Sequence, residues 1–194
     1  MGSLTTAVFA LLIAVPVLLN IRDVPDRLRD VRAGIWGVVA PPAVLAVMVP
    51  LGFLAYMLTS LPVLGWGWFG HNIAMDPLVG SGGSGGAVGS ASSSSAGPVA
   101  LAVLAGVLLV IVVAMLLFNY AEEELFRHSW PATGLWALLH VLMGIELAYV
   151  IPILGAGVVY KGIHDRWGLE TAYVAHLSTN MTILGLLLAA AFLA

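Results

Sequence analysis

Hydrophobic residues fill the chain in long unbroken runs, and the polar residues gather in a few short interruptions between them. A run of roughly 20 apolar residues is what an α-helix needs to cross the hydrocarbon core of a bilayer, so the pattern predicts membrane helices. The first covers about 4–20 and stops at the charged segment "IRDVPDRLRDVR". The second covers about 34–59, with Pro41, Pro42 and Pro50 expected to bend it; membrane helices tolerate such residues where neighbouring groups re-satisfy the backbone. A long connection, 60–97, follows, and its aromatic patch "GWGWFGHN" suits a membrane interface. Its second half, Gly80–Gly97, reads "GSGGSGGAVGSASSSSAG". Such a tract buries too little apolar surface to order itself and predicts a flexible tether with no chemistry.

A third helix begins near Pro98 and runs through Val99–Phe118 into an acidic cluster, "EEELFR". Pro131 marks a break and the start of a fourth. From Pro131 to Tyr160 the one formal charge is Glu146, punctuated by Gly144 and Pro152, which predicts a short helix at about 131–145 and another at about 149–165. The loop around "HDRWGLE" leads to a last helix at about 170–193. The fold class expected is therefore all-α, a polytopic membrane bundle of about six helices with its N-terminus outside. Residues 1–60 supply two N-terminal helices, 61–97 an extracytoplasmic loop, and 98–194 a helical core.

Composition agrees with this layout. Of the 194 residues, 61% are hydrophobic and 9% charged, with mean hydropathy +1.05, whereas soluble domains carry about 25% charged residues. The start of the chain lacks the basic flank of a signal peptide, so it is read as a retained helix. Net charge is −3 with no basic block, which argues against a nucleic-acid partner. There is no cysteine, which excludes disulfides and thiolate metal sites. The seven basic residues are Arg22, Arg27, Arg29, Arg32, Arg127, Lys161 and Arg166. With six crossings all of them fall on one side, as cytoplasmic flanks do; a single crossing over 131–160 would send Lys161 and Arg166 to the other.

Against the apolar background stand "EEELFR" (122–127), "WALLH" (136–140), "HLSTN" (176–180) and the isolated Glu146. Ionisable groups at membrane depth are costly and usually mark function. Helix positions four apart share a face, so Glu123 is expected to pair with Arg127 and Glu124 with His128. Glu122, turned about 100° away, has no basic partner at that spacing and is the carboxylate left to face something else. Each polar residue also has an ordinary reading: a water-facing helix end for the glutamates, a packing histidine for His140, interhelical glue for His176 and Asn180. Their depths favour a joint reading. Counted from the expected turns, Glu122 and His140 lie about 12 and 15 Å in, and His176 and Asn180 about 9 and 15 Å.

These motifs resemble the CAAX protease and bacteriocin-processing (CPBP) family of intramembrane glutamic proteases, whose pattern is EExxxR, FxxxH and HxxxN on neighbouring helices. Glu122, Glu123 and Arg127 match the first motif, His140 the second with Trp136 in place of Phe, and His176 with Asn180 the third. The likeness covers about 118–194. It implies an endopeptidase acting on a membrane-associated protein or peptide, in the lipid bilayer of the cell membrane, with no cofactor. Glu122 and His140 would activate a water, His176 and Asn180 would donate to the oxyanion, and Glu123 with Arg127 would hold Glu122 in place. Trp136 is expected to fill apolar space as Phe would.

Other chemistries compete with this one. A glutamate and two histidines are a plausible zinc set, but neither HExxH nor Glu-x-x-His is present. A non-proteolytic scaffold or immunity-type protein would keep the fold without needing Glu122. A proton-coupled transporter would use Glu122, Glu146 and His140 along a path reaching both faces.

Overall fold

The computed structural model describes residue 11 and residues 14–67 and 97–193. It bears out the all-α membrane bundle. Among the described residues there is no strand, and six α-helices are ordered as α1 (Val24–Ala33), α2 (Pro41–Leu58), α3 (Pro98–Phe126), α4 (Trp130–Leu139), α5 (Val150–Trp167) and α6 (Leu169–Leu193). Four stretches are long and apolar enough to cross a membrane: Pro41–Leu58, Leu101–Phe126, Leu147–Trp167 and Leu169–Ala190. The helix expected at about 4–20 lies mostly outside the described residues, although 14–20 are helical. Residues 80–96 of the expected tether also lie outside them.

Two expectations about helix ends are corrected. Pro41 and Pro42 do not bend α2; they occupy its first turn, where a missing N–H costs nothing because the helix has no partner for it. Of the three prolines, only Pro50 lies inside the helix. The charged segment after residue 20 is a helix in its own right, α1, packed against α3 and α6. Arg27 stacks 3.5 Å above the Tyr120 ring of α3 and pairs with Asp30 at 2.8 Å. From α1 the chain crosses the start of α6 in backbone contact. A Cβ on Gly34 would sit 2.0 Å from the Glu170 carbonyl oxygen, and one on Gly37 would sit 2.4 Å from that of Thr171. Only glycine fits at that crossing.

The split of 131–160 into two helices holds. α4 continues through a 3-10 turn, His140–Met143, and ends at Gly144, whose φ of 94° is left-handed and suits a residue without Cβ. The chain is then tied to the segment after α2: Ala148 N–H donates to the Leu64 carbonyl and Leu147 N–H to that of Trp66, each at 2.9 Å. α5 returns from there and turns at Gly168 (φ 88°) into α6. α4 falls short of the apolar length needed to cross, so it is a half-length element within the bundle.

Because α3 and α5 end where α4 and α6 begin, and α1 packs beside the same end, all seven basic residues gather at one end of the bundle. The core joining α2, α4, α5 and α6 is built from Ala40, Val44, Trp136, Ala137, Ala156, Tyr160 and Ala175. Small side chains let membrane helices approach closely, and a large ring then fills the remaining gap. The outward faces of α2, α3 and α6 expose Phe53, Leu101, Leu109 and Leu186, as lipid-facing surfaces do.

Candidate active site

The turn between α3 and α4 builds the site. α3 stops at Phe126, and Ser129, in extended conformation, caps α4 by accepting from the Ala132 N–H at 3.3 Å. Thr133 Oγ1 donates to the Phe126 carbonyl (2.9 Å), satisfying a helix end that would otherwise be orphaned. This tight reversal lays the first turns of α4 against the last turns of α3. Trp136 Nε1 then donates to Glu122 Oε2 at 2.8 Å.

Glu123, next in the chain, points into the protein and is fully buried, as is Arg127. The expected pair forms: Arg127 Nη2 lies 3.0 Å from Glu123 Oε1. The same oxygen accepts from His176 Nδ1 of α6 at 2.9 Å. One buried carboxylate thus joins α3 to α6 and fixes the His176 ring, whose Nε2 lies 3.9 Å from Glu122 Oε2. Tyr160 of α5 stacks on His176 with centroids 4.7 Å apart. Trp136 meets His176 edge-on at 5.5 Å and His140 at 4.6 Å, while the Arg127 guanidinium lies 4.0 Å over its ring face.

His140 sits at the end of α4 with Nδ1 2.9 Å from the Trp136 carbonyl oxygen. In the neutral ring the N–H on Nδ1 donates there, leaving the lone pair on Nε2 as an acceptor. Asn180, one turn beyond His176, donates from Nδ2 to Asn119 Oδ1 at 3.3 Å. Asn119 Nδ2 is buried without a hydrogen-bond partner.

All four residues expected to do chemistry, Glu122, His140, His176 and Asn180, line one cavity of about 610 Å³. Asn119, Trp136, Tyr160 and Thr179 complete its polar portion. The rest is apolar and extends along α3 to Ile111 and along α6 to Leu187. At 1.5 Å rise per residue each of these walls runs about 16 Å from Glu122 or His176. Glu123 and Arg127 do not line the cavity; they pair with each other, and Glu123 also holds His176. Among the described residues no group of three or more His, Asp or Glu side chains converges as a metal site. Glu146 is half-buried on the connection between α4 and α5, away from the cavity.

Three expectations about partners are corrected. Glu122 is not left without a partner: the indole of Trp136 holds one of its oxygens. Spacing along α3 alone does not reveal a donor that arrives from the next helix. Trp136 is accordingly more than apolar filling, and the cue in the sequence was the one ring nitrogen that Trp has and Phe lacks. Glu124 and His128 do not pair. Both are exposed, and α3 ends between them, so the four-residue spacing no longer puts them on one face. Asn119 is a further polar residue of the cavity that no sequence motif singles out. It lies three residues before Glu122 and so on nearly the same helix face.

Set beside models of known families, characterised proteins and solved structures, the chain matches none.

Proposed function

We propose that this membrane protein is an intramembrane endopeptidase of the CPBP type, hydrolysing a peptide bond of a membrane-associated protein or peptide. The single observation that carries the reading is the meeting of Glu122, His140, His176 and Asn180, from three helices, around one cavity at the basic end of the bundle. In this reading that end, where Arg and Lys gather, faces the cytoplasm, and the site lies toward the cytoplasmic side of the cell membrane.

In this reading Glu122 and His140 hold a water between them. As the water oxygen adds to the scissile carbonyl carbon, one water proton passes to the Glu122 carboxylate, and the carbonyl π electrons move to its oxygen. Asn180 donates its second amide hydrogen to that oxyanion, and His176, whose Nδ1–H is held by Glu123, donates from Nε2 in the doubly protonated ring; preorganised donors act most strongly on charge that develops in the transition state. When the carbonyl re-forms, the C–N bond breaks and the proton held by Glu122 goes to the departing amine nitrogen. No step calls for a cofactor. The Glu123–Arg127 pair and Tyr160 keep the His176 ring from turning.

The reading is tested by presenting a library of membrane proteins to the wild type and to Glu122→Ala in bilayer discs and identifying the fragments by mass spectrometry. Fragments from the wild type alone support it. Identical fragment sets from both proteins, or none, would overturn it in favour of a non-proteolytic scaffold. Activity lost to a chelator and restored by zinc would overturn the metal-free mechanism.

A further inference from the structure

We infer that Trp136 is a positioning residue: its indole N–H pins Glu122 Oε2 and thereby assigns the other oxygen, Oε1, to the attacking water. This rests on the peptidase reading above and deepens it.

The geometry converges on one oxygen. Trp136 Nε1 is 2.8 Å from Glu122 Oε2, and the nearest approach of His176 Nε2 is to that same oxygen, at 3.9 Å. Among the described residues nothing donates to Oε1, and the Glu122 side chain keeps 32% of its surface exposed. A carboxylate free to spin about its last bond exchanges its two oxygens, because terminal sp³–sp² torsions are broad. A fixed donor ends that exchange. The oxygen already accepting a strong hydrogen bond is the poorer proton acceptor, so the free one takes the water's proton.

Trp136 is suited to the task because it cannot move. It is 3% exposed, and its ring is so close to Gly157 that a Cβ there would come within 3.0 Å. The Arg127 guanidinium over the ring face, at 4.0 Å, draws electron density from the indole and makes its N–H a stronger donor. Arg127 therefore acts on Glu122 through the ring as well as on His176 through Glu123. A phenylalanine would fill much the same space and offer no N–H.

The test uses the full chain in bilayer discs and Trp136→Phe, with a substrate taken from the library screen. Hydrogen bonds to charged groups are worth enough that kcat is expected to fall about 10- to 100-fold, with KM within about threefold. A ring that served packing alone would leave kcat in place. A second readout needs neither cleavage nor a folded Trp136 variant: with ¹⁵N-labelled indoles, Glu122→Ala should move the Trp136 Nε1–H proton resonance upfield as its acceptor disappears. An unchanged kcat in Trp136→Phe, or an unmoved indole resonance in Glu122→Ala, would overturn the inference. If the wild type cleaves nothing, the peptidase reading falls separately, and the resonance still decides whether the ring holds Glu122.

Discussion

Two ion pairs at helical spacing sit at the same end of this molecule and behave as opposites. Arg29 and Asp26 of α1 meet at 2.8 Å with side chains 81% and 61% exposed, while Arg127 and Glu123 of α3 meet at 3.0 Å with both fully buried. Distance and chemistry are nearly the same. What differs is the surroundings: water competes for the first pair, and the second has lost its water and gained Trp136, Tyr160 and His176. A surface pair is screened and worth little. A buried pair holds its neighbours in place, because each partner is intolerable without the other.

The comparison can be broken in several places. The largest effect is expected in the residue the buried pair serves. Glu122→Gln keeps the size and the acceptor for Trp136 but cannot take a proton, and should lower cleavage by about 10²- to 10⁴-fold with an unchanged melting curve in detergent. Next comes the pair itself. Arg127→Ala leaves the buried Glu123 without its guanidinium partner and held by His176 alone, and equilibrium unfolding in mixed micelles should register a loss of about 3–5 kcal/mol. A loss under about 1 kcal/mol would mean that water reaches this pair as it reaches a surface one.

A smaller and more selective effect is expected at Asn119. Asn119→Leu removes a buried amide whose Nδ2 has no partner, so stability should hold or rise slightly. The same change frees the Asn180 side chain, and kcat should drop about tenfold, the value of one hydrogen bond. If both quantities stay at wild-type values, Asn180 needs no orienting partner. The smallest effect is expected on α1, where Arg29→Ala should change neither the unfolding midpoint nor cleavage measurably, at any salt concentration.

Much of this architecture can be read from the chain before folding is considered. The break at Pro131, the division at Gly144 and the last helix from about residue 170 all appear where local signals place them. So does the Glu123–Arg127 pair, because partners four apart on one helix need nothing from elsewhere. What escaped was in each case a contact between helices. Glu122 looked unpartnered along α3, yet its partner comes from α4. Asn119 is unremarked in the sequence until Asn180 arrives from α6. The segment after residue 20 read as a charged connection, and packing of α1 on α3 and α6, with Arg27 on Tyr120, makes it a helix.

The sequence by itself determined which segments are apolar and long enough to cross a membrane. The solvent there is imposed from outside, and every residue answers to it locally. Only the tertiary structure decided which way each helix is turned. Lipid and protein core are equally apolar, so a run of Leu, Val and Ala does not mark its inner face. The few polar side chains, meeting across the cavity, set the rotation that the hydrophobic pattern leaves open.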